Sequence, residues 1–370
     1  MIRPRLLIAP QEFKGTLSAA EAAAAMAEGL RQASPHVVLD VAPLADGGPG
    51  TVDALLAAGR GERRWNTVRG PLGAPVKAAW ARLDDGRTAV VEMAAASGLS
   101  LVPPDARDAC AACTYGTGEL MRAALDEGCE RLIVGLGGSA TTDGGKGALE
   151  ALGFRFLDAA GAPLPPGGAA LARLARVEAD ARHPRLEQVE LRVATDVITP
   201  LLGEDGAARL FAPQKGAGPE AVEELEAALT TFARVAGEEA ATIPGAGAAG
   251  GMGYGLAALA GGKLTSGYVL VSRALGLERR VLLADLVLTG EGRFDRQTWL
   301  GKGPVALARL AREHGTQVVL FAGSVHADAV LDLSLFRDVV ELSAQARPGA
   351  SAHETLRDAT ARWAMARLGK

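Results

Sequence analysis

The chain of 370 residues has few cysteines, few histidines and few aromatic residues, and it lacks a long apolar run. Its three cysteines include one C-x-x-C pair, Cys110 and Cys113, which leaves a redox dithiol as a minor alternative. A zinc site would need a second pair or histidines at ligand spacing, and the five histidines are scattered. No stretch reaches the ~18 apolar residues of a transmembrane helix. The first residues show no signal-peptide pattern, so we expect a reduced, cytoplasmic protein without a membrane partner.

The chain also lacks an excess of basic residues. Its 39 lysines and arginines face 43 aspartates and glutamates, and the net charge of −4 gives no support to nucleic-acid binding. Apolar residues make up 48% and charged residues 22%, which is typical of a folded globular protein rather than a disordered one. The sequence is silent on oligomeric state, and a homodimer is left open.

Strand-like and helix-like segments alternate near both ends of the chain. Residues 5–9 and 37–41 read as strands around a helix at 19–32, which Ser18 and Glu21 begin with a capping box. The same alternation returns near the other end, with strands predicted at 286–289, 318–322 and 339–342 and helices at 304–314 and 351–368.

The middle of the chain has a different pattern. Strands at 76–83 and 88–92 form a predicted hairpin, helices are predicted at 117–127 and 219–236, and the strand at 132–136 could belong to either sheet. We therefore expect an α/β fold with two α/β domains. One is a discontinuous, doubly wound, parallel-sheet (Rossmann-like) domain, residues 1–63 and 284–370. Into it is inserted a mixed α/β domain, residues 64–283, with the active site in the cleft between them.

Glycine is abundant, at 47 residues, and it concentrates in loops that also carry acids. These loops are residues 45–51, 137–147, 195–206 and 289–298, and a further glycine-rich loop without an acid spans 244–253. Such loops expose backbone N–H groups to anions, and carboxylates can hold Mg²⁺. The candidate cations are Lys14, Lys146, Lys215, Arg293 and Lys302. Phosphoryl transfer needs these parts, although each loop could also be a turn that requires glycine.

A competing class is an NAD-dependent oxidoreductase. Residues 135–140 satisfy G-x-G-x-x-A and residues 245–250 satisfy G-x-G-x-x-G. The second pattern lacks a preceding strand, and the first is followed by a poor helix opening. A Walker motif is not an alternative, because glycine follows both Lys146 and Lys302 where serine or threonine is required. A non-catalytic binding module is the remaining alternative.

At these loops the sequence resembles the class I glycerate kinase family over nearly the whole chain. The matching segments, in chain order, are Ile8–Pro10, Phe13–Ser18, Ala45–Gly48, Gly70–Gly73, Thr114–Glu119, Gly137–Thr141 with Asp143–Gly145, Pro213–Gly216, Pro244–Gly251, and Thr289–Arg293 with Asp295, Gln297 and Thr298. The resemblance implies phosphorylation of D-glycerate with ATP and Mg²⁺. It favours the 2-hydroxyl as acceptor, which gives 2-phosphoglycerate and ADP.

The loops and the resemblance together give a set of candidate site residues. We predict Asp196 as the catalytic base, since no cation neighbours it before Arg209, with Asp295 and Asp46 in reserve. Lys14 is expected to take part in catalysis by meeting the carboxylate of the acid. The predicted acid-binding residues are Lys14, Asp46, Gly47, Gly48 and Arg293; the predicted nucleotide-binding residues are Gly137, Gly138, Ser139, Thr141, Gly247, Gly250 and Gly251; the predicted Mg²⁺ ligands are Asp143 and Glu291.

The chain departs from the family pattern inside these loops. It has Gln11 and Glu12 where the family usually has Asp-Ser, and Pro49 where it usually has Glu. Pro49 removes a carboxylate and a backbone donor. The remaining departures are Thr142 and Thr199 in place of Asn and Ala212 in place of Gly. These changes leave open a related hydroxy acid as substrate, or a weakened kinase.

Overall fold

The computed structural model describes residues 3–296, 298–300, 303–326, 333–345 and 347–368, without the side chain at position 300. It confirms the predicted α/β class. The strands are β1 (Arg5–Ile8), β2 (Val38–Val41), β3 (Glu62–Arg69), β4 (Pro75–Arg82), β5 (Thr88–Glu92), β6 (Arg131–Gly135), β7 (Arg155–Leu157), β8 (Arg176–Glu178), β9 (Glu190–Ala194), β10 (Lys263–Thr265), β11 (Leu286–Phe294), β12 (Gln317–Val325) and β13 (Asp338–Glu341).

Helices connect most of these strands. They are α1 (Ala19–Ala33), α2 (Thr51–Ala57), α3 (Met93–Ser97), α4 (Tyr115–Asp126), α5 (Lys146–Ala151), α6 (Ala207–Phe211), α7 (Pro219–Ala236), α8 (Ala248–Ala260), α9 (Gly267–Leu275), α10 (Leu277–Leu282), α11 (Gly303–Glu313) and α12 (Ala352–Leu368). Within the described ranges, no helix is long and apolar enough to cross a membrane.

The chain forms two compact units. The first comprises Met1–Ala45, Asp53–Arg60 and Val271–Lys370, and the second comprises Asp46–Val52 and Gly61–Leu270. Residues 271–283 therefore belong to the first unit, whereas the sequence assigned them to the inserted domain. Within this stretch, Arg280 forms an ion pair with Asp40 and donates a hydrogen bond to the carbonyl of Ala58, both of which are in the first unit. The division into two domains with a cleft between them stays a prediction.

The first unit contains a parallel five-stranded sheet in the order β13-β12-β11-β1-β2. The capping box that begins α1 is present: Ser18 accepts a hydrogen bond from the Glu21 amide, and the Glu21 carboxylate accepts one from the Ser18 amide. Side chains of β1 such as Leu6 and Ile8 share a core with α1 and α12. The intervening Leu7 is also buried, so the sheet is covered on both faces, as parallel sheets are.

The second unit contains a mixed six-stranded sheet in the order β10-β9-β6-β5-β4-β3. Strand β6 pairs with β5 and β9, and β9 pairs with β10, all in parallel. Strand β4 pairs antiparallel with β3 and with β5, and the β4–β5 pair confirms the predicted hairpin. The strand at 131–135, left open by the sequence, lies in this sheet. Because β5, β6, β9 and β10 are parallel neighbours, their carboxyl ends meet at one edge, where ligands bind in α/β proteins.

Strand β11 differs from its prediction. The sequence ends it at 289 and begins a loop at Gly290, but the strand continues to Phe294. The extension is possible because β12 pairs with β11 through Arg293 and Phe294, opposite Ser324 and Val325. A residue at 291 or 293 is thus held by a sheet rather than by a free loop, and Asp295 directly follows the strand.

Candidate active site

Segment Asp46–Gly48 lies against the carboxyl ends of β6 and β9 in the second unit. A Cβ added to Gly47 would lie 2.7 Å from the Cβ of Ala194, and one added to Gly137 would lie 2.5 Å from the Cα of Gly48. Glycine at these two positions allows three backbone segments to meet without side chains between them. The structure thus brings together the predicted residues Gly47, Gly48 and Gly137.

Glu92, the last residue of β5, fixes this segment and was missed by sequence reasoning. Its carboxylate accepts hydrogen bonds from the amides of Gly50 and Val52, which lie at the beginning of α2. Thr51 adds a hydrogen bond from its hydroxyl to the Gly48 carbonyl, 2.8 Å long. No local signal marks Glu92, because its partners lie about forty positions earlier in the chain.

Asp46 and Asp196 both lie half-buried at this edge of the sheet. Asp46 Oδ1 accepts a hydrogen bond from the Gly48 amide, 3.1 Å away. Asp196 Oδ1 accepts hydrogen bonds from Ser266 Oγ at 2.8 Å and from the Gly267 amide at 3.2 Å. Gly267 in turn lies so close to Asp46 that an added Cβ would be 1.6 Å from the Asp46 carbonyl oxygen. Two of the three candidate bases therefore share one site.

The loop after β6 is exposed only in its first part. Gly138 is exposed, and Gly137 and Ser139 are half-buried, whereas residues 140–149 are buried. Gly138 has φ +75°, a conformation that favours glycine. Helix α5 does not begin until Lys146, so the G-x-G-x-x-A pattern at 135–140 does not open a helix as a dinucleotide fingerprint does. The part of this loop that an anion can reach is Gly137–Ser139.

Asp143 does not have the surroundings of a metal ligand. It is 0% exposed, and its Oδ2 accepts hydrogen bonds from the amide and hydroxyl of Thr114 and from the Gly147 amide, at 2.9, 2.9 and 3.1 Å. Its Oδ1 accepts a fourth from the Gly145 amide at 3.1 Å. The carboxylate thus ties the buried half of the loop to the start of α4. The structure argues against the predicted Mg²⁺ role, because a carboxylate surrounded by protein donors does not face a cation.

Replacing Asp143 with asparagine should therefore destabilise the fold rather than weaken metal binding. The amide nitrogen of asparagine cannot accept the hydrogen bonds that one carboxylate oxygen now accepts. We expect the free energy of unfolding to fall by about 3 kcal/mol or more, the effect of losing buried hydrogen bonds to a charged group. Urea denaturation measures the change. Unchanged stability with a raised Mg²⁺ requirement would restore the metal role.

Two lysines near this loop are fully buried. Lys146 forms an ion pair with Glu150 at 2.9 Å and donates to the Pro165 carbonyl, so it is turned away from the exposed half of the loop. Lys215 is 1% exposed and donates to Ser139 Oγ at 2.9 Å and to the Thr141 carbonyl at 2.5 Å. Burial lowers the pKa of the Lys215 ammonium to about 7, against the opposing effect of Asp143. Of the two, Lys215 is the one that contacts the exposed half of the loop, at Ser139.

The second glycine-rich segment packs against the first. The Gly250 carbonyl accepts a hydrogen bond from the Gly144 amide at 3.0 Å, and residues 245–251 are buried. A Cβ on Gly247 or on Gly250 would lie 2.1 Å from a backbone oxygen, that of Pro200 or of Thr141. Gly247, Gly250 and Gly251 are thus explained by close backbone packing. The structure argues against their predicted nucleotide contacts, because a ligand does not reach them.

In the first unit, Lys14 and Arg293 lie together. Both line a cavity of about 510 Å³, with Thr16, Ser343 and Thr355 among its other walls. The end of β11 is close to Lys14: a Cβ added to Gly292 would lie 3.0 Å from the Lys14 amide nitrogen. Two cations and several hydroxyls on one cavity are suited to a small hydroxy acid.

Glu291 lies in β11 and Asp295 directly follows this strand, in the first unit. Asp295 forms an ion pair with Arg293, at 2.9 Å. Burial raises the pKa of Glu291 to about 7; a hydrogen bond with Thr298 opposes this and the charge of Asp295 adds to it. Glu291 Oε1 is buried and accepts no hydrogen bond within the described chain. The predicted residues Gln297 and Lys302 lie outside the described residues.

Comparisons with known proteins show the family of the chain. The model of the glycerate kinase family matches residues 6–365. The chain belongs to the glycerate kinase family. It is 46% identical over 324 residues to a glycerate kinase of Halalkalibacterium halodurans, covering 86% of this chain and 85% of that one. It is 44% identical over 328 residues to the glycerate 2-kinase of Escherichia coli K12, covering 88% and 86%.

A solved structure shares the family fold. A crystal structure from Salmonella typhimurium LT2, of a protein provisionally named glycerate kinase 2, matches with a TM-score of 0.88 and 39% identity, covering 100% of this chain and 99% of that one. The resemblance to the family that the sequence motifs indicated is confirmed, and the family assignment excludes the oxidoreductase alternative.

Proposed function

We propose that the protein transfers the γ-phosphoryl group of ATP to the 2-hydroxyl of D-glycerate, giving 2-phosphoglycerate and ADP. The observation that carries the proposal is the edge of the six-stranded sheet, where two carboxylates, Asp46 and Asp196, accompany an exposed glycine loop, Gly137–Ser139. Phosphoryl transfer needs an anion-binding loop and a carboxylate that accepts the hydroxyl proton. The names of the relatives support the same reaction.

The nucleotide is proposed to bind through the loop that contains Gly137, Gly138, Ser139 and Thr141. Backbone N–H groups of such a loop stabilise phosphate oxygens. Thr141 is buried and contributes through its carbonyl contact with Lys215 rather than by direct contact. Gly137, Gly138 and Ser139 are the residues that phosphates would meet.

The acid is proposed to bind to Lys14 and Arg293 in the first unit. The Lys14 ammonium would form a charge-assisted hydrogen bond with the carboxylate of glycerate. That Asp46, Gly47 and Gly48 also hold the acid stays a prediction. Asp196 would orient the 2-hydroxyl and accept its proton as the new P–O bond forms. Its Oδ1 is held by Ser266 and Gly267, so the position of the carboxylate is fixed before the acid binds.

Mg²⁺ is the ion that ATP chemistry implies, and Glu291 fits it. No group of three potential metal ligands exists in the described part of the chain. Mg²⁺ needs no such group, because one or two carboxylates with phosphates and water complete its shell. The buried Oε1 of Glu291, which lacks a hydrogen-bond donor there, and the neighbouring Asp295 supply such carboxylates. When bound, the ion would neutralise charge on the phosphates.

Removal of divalent cations should abolish turnover. We expect ADP release to stop in excess EDTA and to return when Mg²⁺ is restored, because the phosphate charge is then compensated again. Glu291→Gln should raise the Mg²⁺ concentration needed for half-maximal rate, while Asp143→Asn should leave it unchanged. Turnover that persists in EDTA would contradict the metal requirement.

A related hydroxy acid is the second candidate substrate, because the chain has Gln11 and Glu12 close to Lys14 where the family usually has Asp-Ser. Pro49 lies against the exposed loop: a Cβ added to Gly138 would be 2.9 Å from Pro49 Cγ. The departure at Pro49 therefore concerns the proposed phosphate site and not the choice of acid. A coupled ADP-release assay over a panel of small hydroxy acids separates the candidates. If kcat/KM is highest with D-glycerate, the proposal is supported. If it is higher with another acid, that acid is the substrate instead.

Three further properties stay predictions: a cytoplasmic location, the absence of nucleic-acid partners and a homodimer. The small-molecule partners are the hydroxy acid and ATP.

A further inference from the structure

Lys215 is a buried lysine whose ammonium, among the residues that the structure describes, contacts only uncharged oxygens. It ends a short turn, Pro213–Lys215, and Gly216 follows with φ +98°. Its two acceptors are the Ser139 hydroxyl and the Thr141 carbonyl, and in the described chain no carboxylate lies within ion-pair distance of it. Burying an ammonium without an ionic partner is costly, so stability does not explain its presence.

Lys146 is a second buried lysine of the same unit and, unlike Lys215 in the part of the chain that the structure describes, it has an ionic partner. It is also fully buried, but its ammonium is paired with the Glu150 carboxylate at 2.9 Å. Lys146 therefore has the partner that a structural buried lysine requires. Lys215 instead directs its charge at the loop that faces the proposed nucleotide.

The Ser139 hydroxyl connects this charge to the exposed side of the loop. A hydroxyl has a single hydrogen to donate. Because Ser139 Oγ accepts from Lys215, its own O–H is free to point away from the ammonium, and Ser139 is half-buried beside the exposed Gly138. An anion that accepts this hydrogen bond would lie roughly 5 Å from the Lys215 nitrogen, two hydrogen-bond lengths bent at the hydroxyl.

We propose that Lys215 is the charged group of the nucleotide site, acting through Ser139 on a phosphate held by Gly137–Ser139. This inference rests on the proposed function, since it assigns the loop to ATP. Lys215 is a positioning residue rather than a catalytic one, because the hydroxyl stands between it and the ligand. Binding of a phosphate supplies the negative charge that the buried ammonium lacks in the free protein.

Proton uptake follows from this arrangement. Burial lowers the pKa of free Lys215 to about 7, and Asp143 is the titratable group that acts on it in the described chain. A bound phosphate favours the charged form and so raises the pKa. At pH 8 the free lysine is mostly neutral, and ATP binding should take up close to one proton per site. Affinity should fall as pH rises through the free pKa, because each binding event must then recharge the lysine.

Lys215→Met tests the inference by calorimetry with ATP and Mg²⁺ at pH 8, without the acid, in buffers of different ionisation enthalpy. Methionine fills similar space without charge. We expect the wild-type proton uptake to disappear and ATP to bind about tenfold more weakly or worse, since a pKa shift of one unit corresponds to a tenfold change in affinity. The free energy of unfolding should be unchanged or raised, because the substitution removes a buried polar group whose desolvation is costly.

Lys146→Met is the matched control. It removes a lysine of equal burial but leaves Glu150 without its partner, so stability should fall while ATP affinity and proton uptake remain. Ser139→Ala supplies a second variant at a half-exposed position. It should fold normally and bind ATP more weakly, because the hydroxyl that joins the charge to the phosphate is gone.

Several outcomes would overturn the inference. Wild-type affinity and proton uptake in Lys215→Met would do so, as would joint loss of affinity and stability, which assigns Lys215 to structural support. Unchanged ATP affinity in Ser139→Ala would remove the link through the hydroxyl. If the wild-type protein binds ATP with proton uptake but phosphorylates no hydroxy acid, the proposed function fails and the Lys215 assignment stands. If the protein phosphorylates glycerate but Lys215→Met leaves the KM for ATP unchanged, the proposed function stands and the Lys215 assignment fails.

Discussion

Replacing Asp196 with asparagine should lower kcat for glycerate phosphorylation by roughly 10²–10⁴-fold, the usual contribution of a general base. The side chain keeps its position, because the asparagine carbonyl can still accept the hydrogen bonds from Ser266 Oγ and the Gly267 amide. What is lost is the proton acceptor. The KM for ATP should change little, since the proposed phosphate loop is a separate segment. Steady-state kinetics with both substrates varied measure the effect.

Asp205→Asn is the control for this variant. Asp205 is an exposed carboxylate in the same loop and should be replaceable without effect. If Asp196→Asn turns over at a rate near that of the wild type, Asp196 is not the base. Asp295→Asn and Asp46→Asn would then be assayed. Of these, Asp295 is less suited to the role, because its carboxylate already forms an ion pair with Arg293.

Lys14→Ala should raise the KM for D-glycerate by about 10–100-fold, which corresponds to one charge-assisted hydrogen bond of about 1.5–3 kcal/mol. Lys14 is exposed on its cavity and its side chain has no structural partner to lose in the described chain, so stability should be retained. The KM for ATP should stay close to the wild-type value. Initial-rate measurements over both substrate concentrations give the two constants.

Lys77→Ala provides the comparison for Lys14. Lys77 lies on β4 of the other unit, where its ammonium stacks on the Trp65 ring at 4.9 Å. Its removal should leave both KM values unchanged. An equal rise of the two KM values in Lys14→Ala would contradict the assignment of Lys14 to the acid, and a rise for ATP alone would move it to the nucleotide.

Local sequence signals predicted the elements that depend on local chemistry. The capping box of Ser18 and Glu21 marks the start of α1, and the amphipathic period predicts α7 with its observed bounds. The length of β11 was not predictable in this way. Its residues Gly290–Arg293 read as a loop, and only pairing with β12 makes them a strand.

The roles of the candidate site residues were even less predictable from local sequence signals. Lys146 and Lys215 both precede a glycine in a glycine-containing loop and look equivalent in the sequence. Their roles separate only in three dimensions, since Lys146 meets Glu150 and Lys215 meets Ser139. Asp143 looked like a metal ligand for the same reason. Its donors include Thr114, 29 positions away, and no local pattern records that contact.

The most direct test of the central proposal is phosphorus NMR of the product formed from ATP, Mg²⁺ and D-glycerate. The purified protein should consume ATP and produce equal amounts of ADP and one phosphomonoester. The phosphorus of that ester should couple to the single proton on carbon 2, as in 2-phosphoglycerate. Coupling to the two protons on carbon 3 would show that the 3-hydroxyl is the acceptor. Loss of ATP without any phosphomonoester, or no loss at all, would contradict glycerate phosphorylation itself.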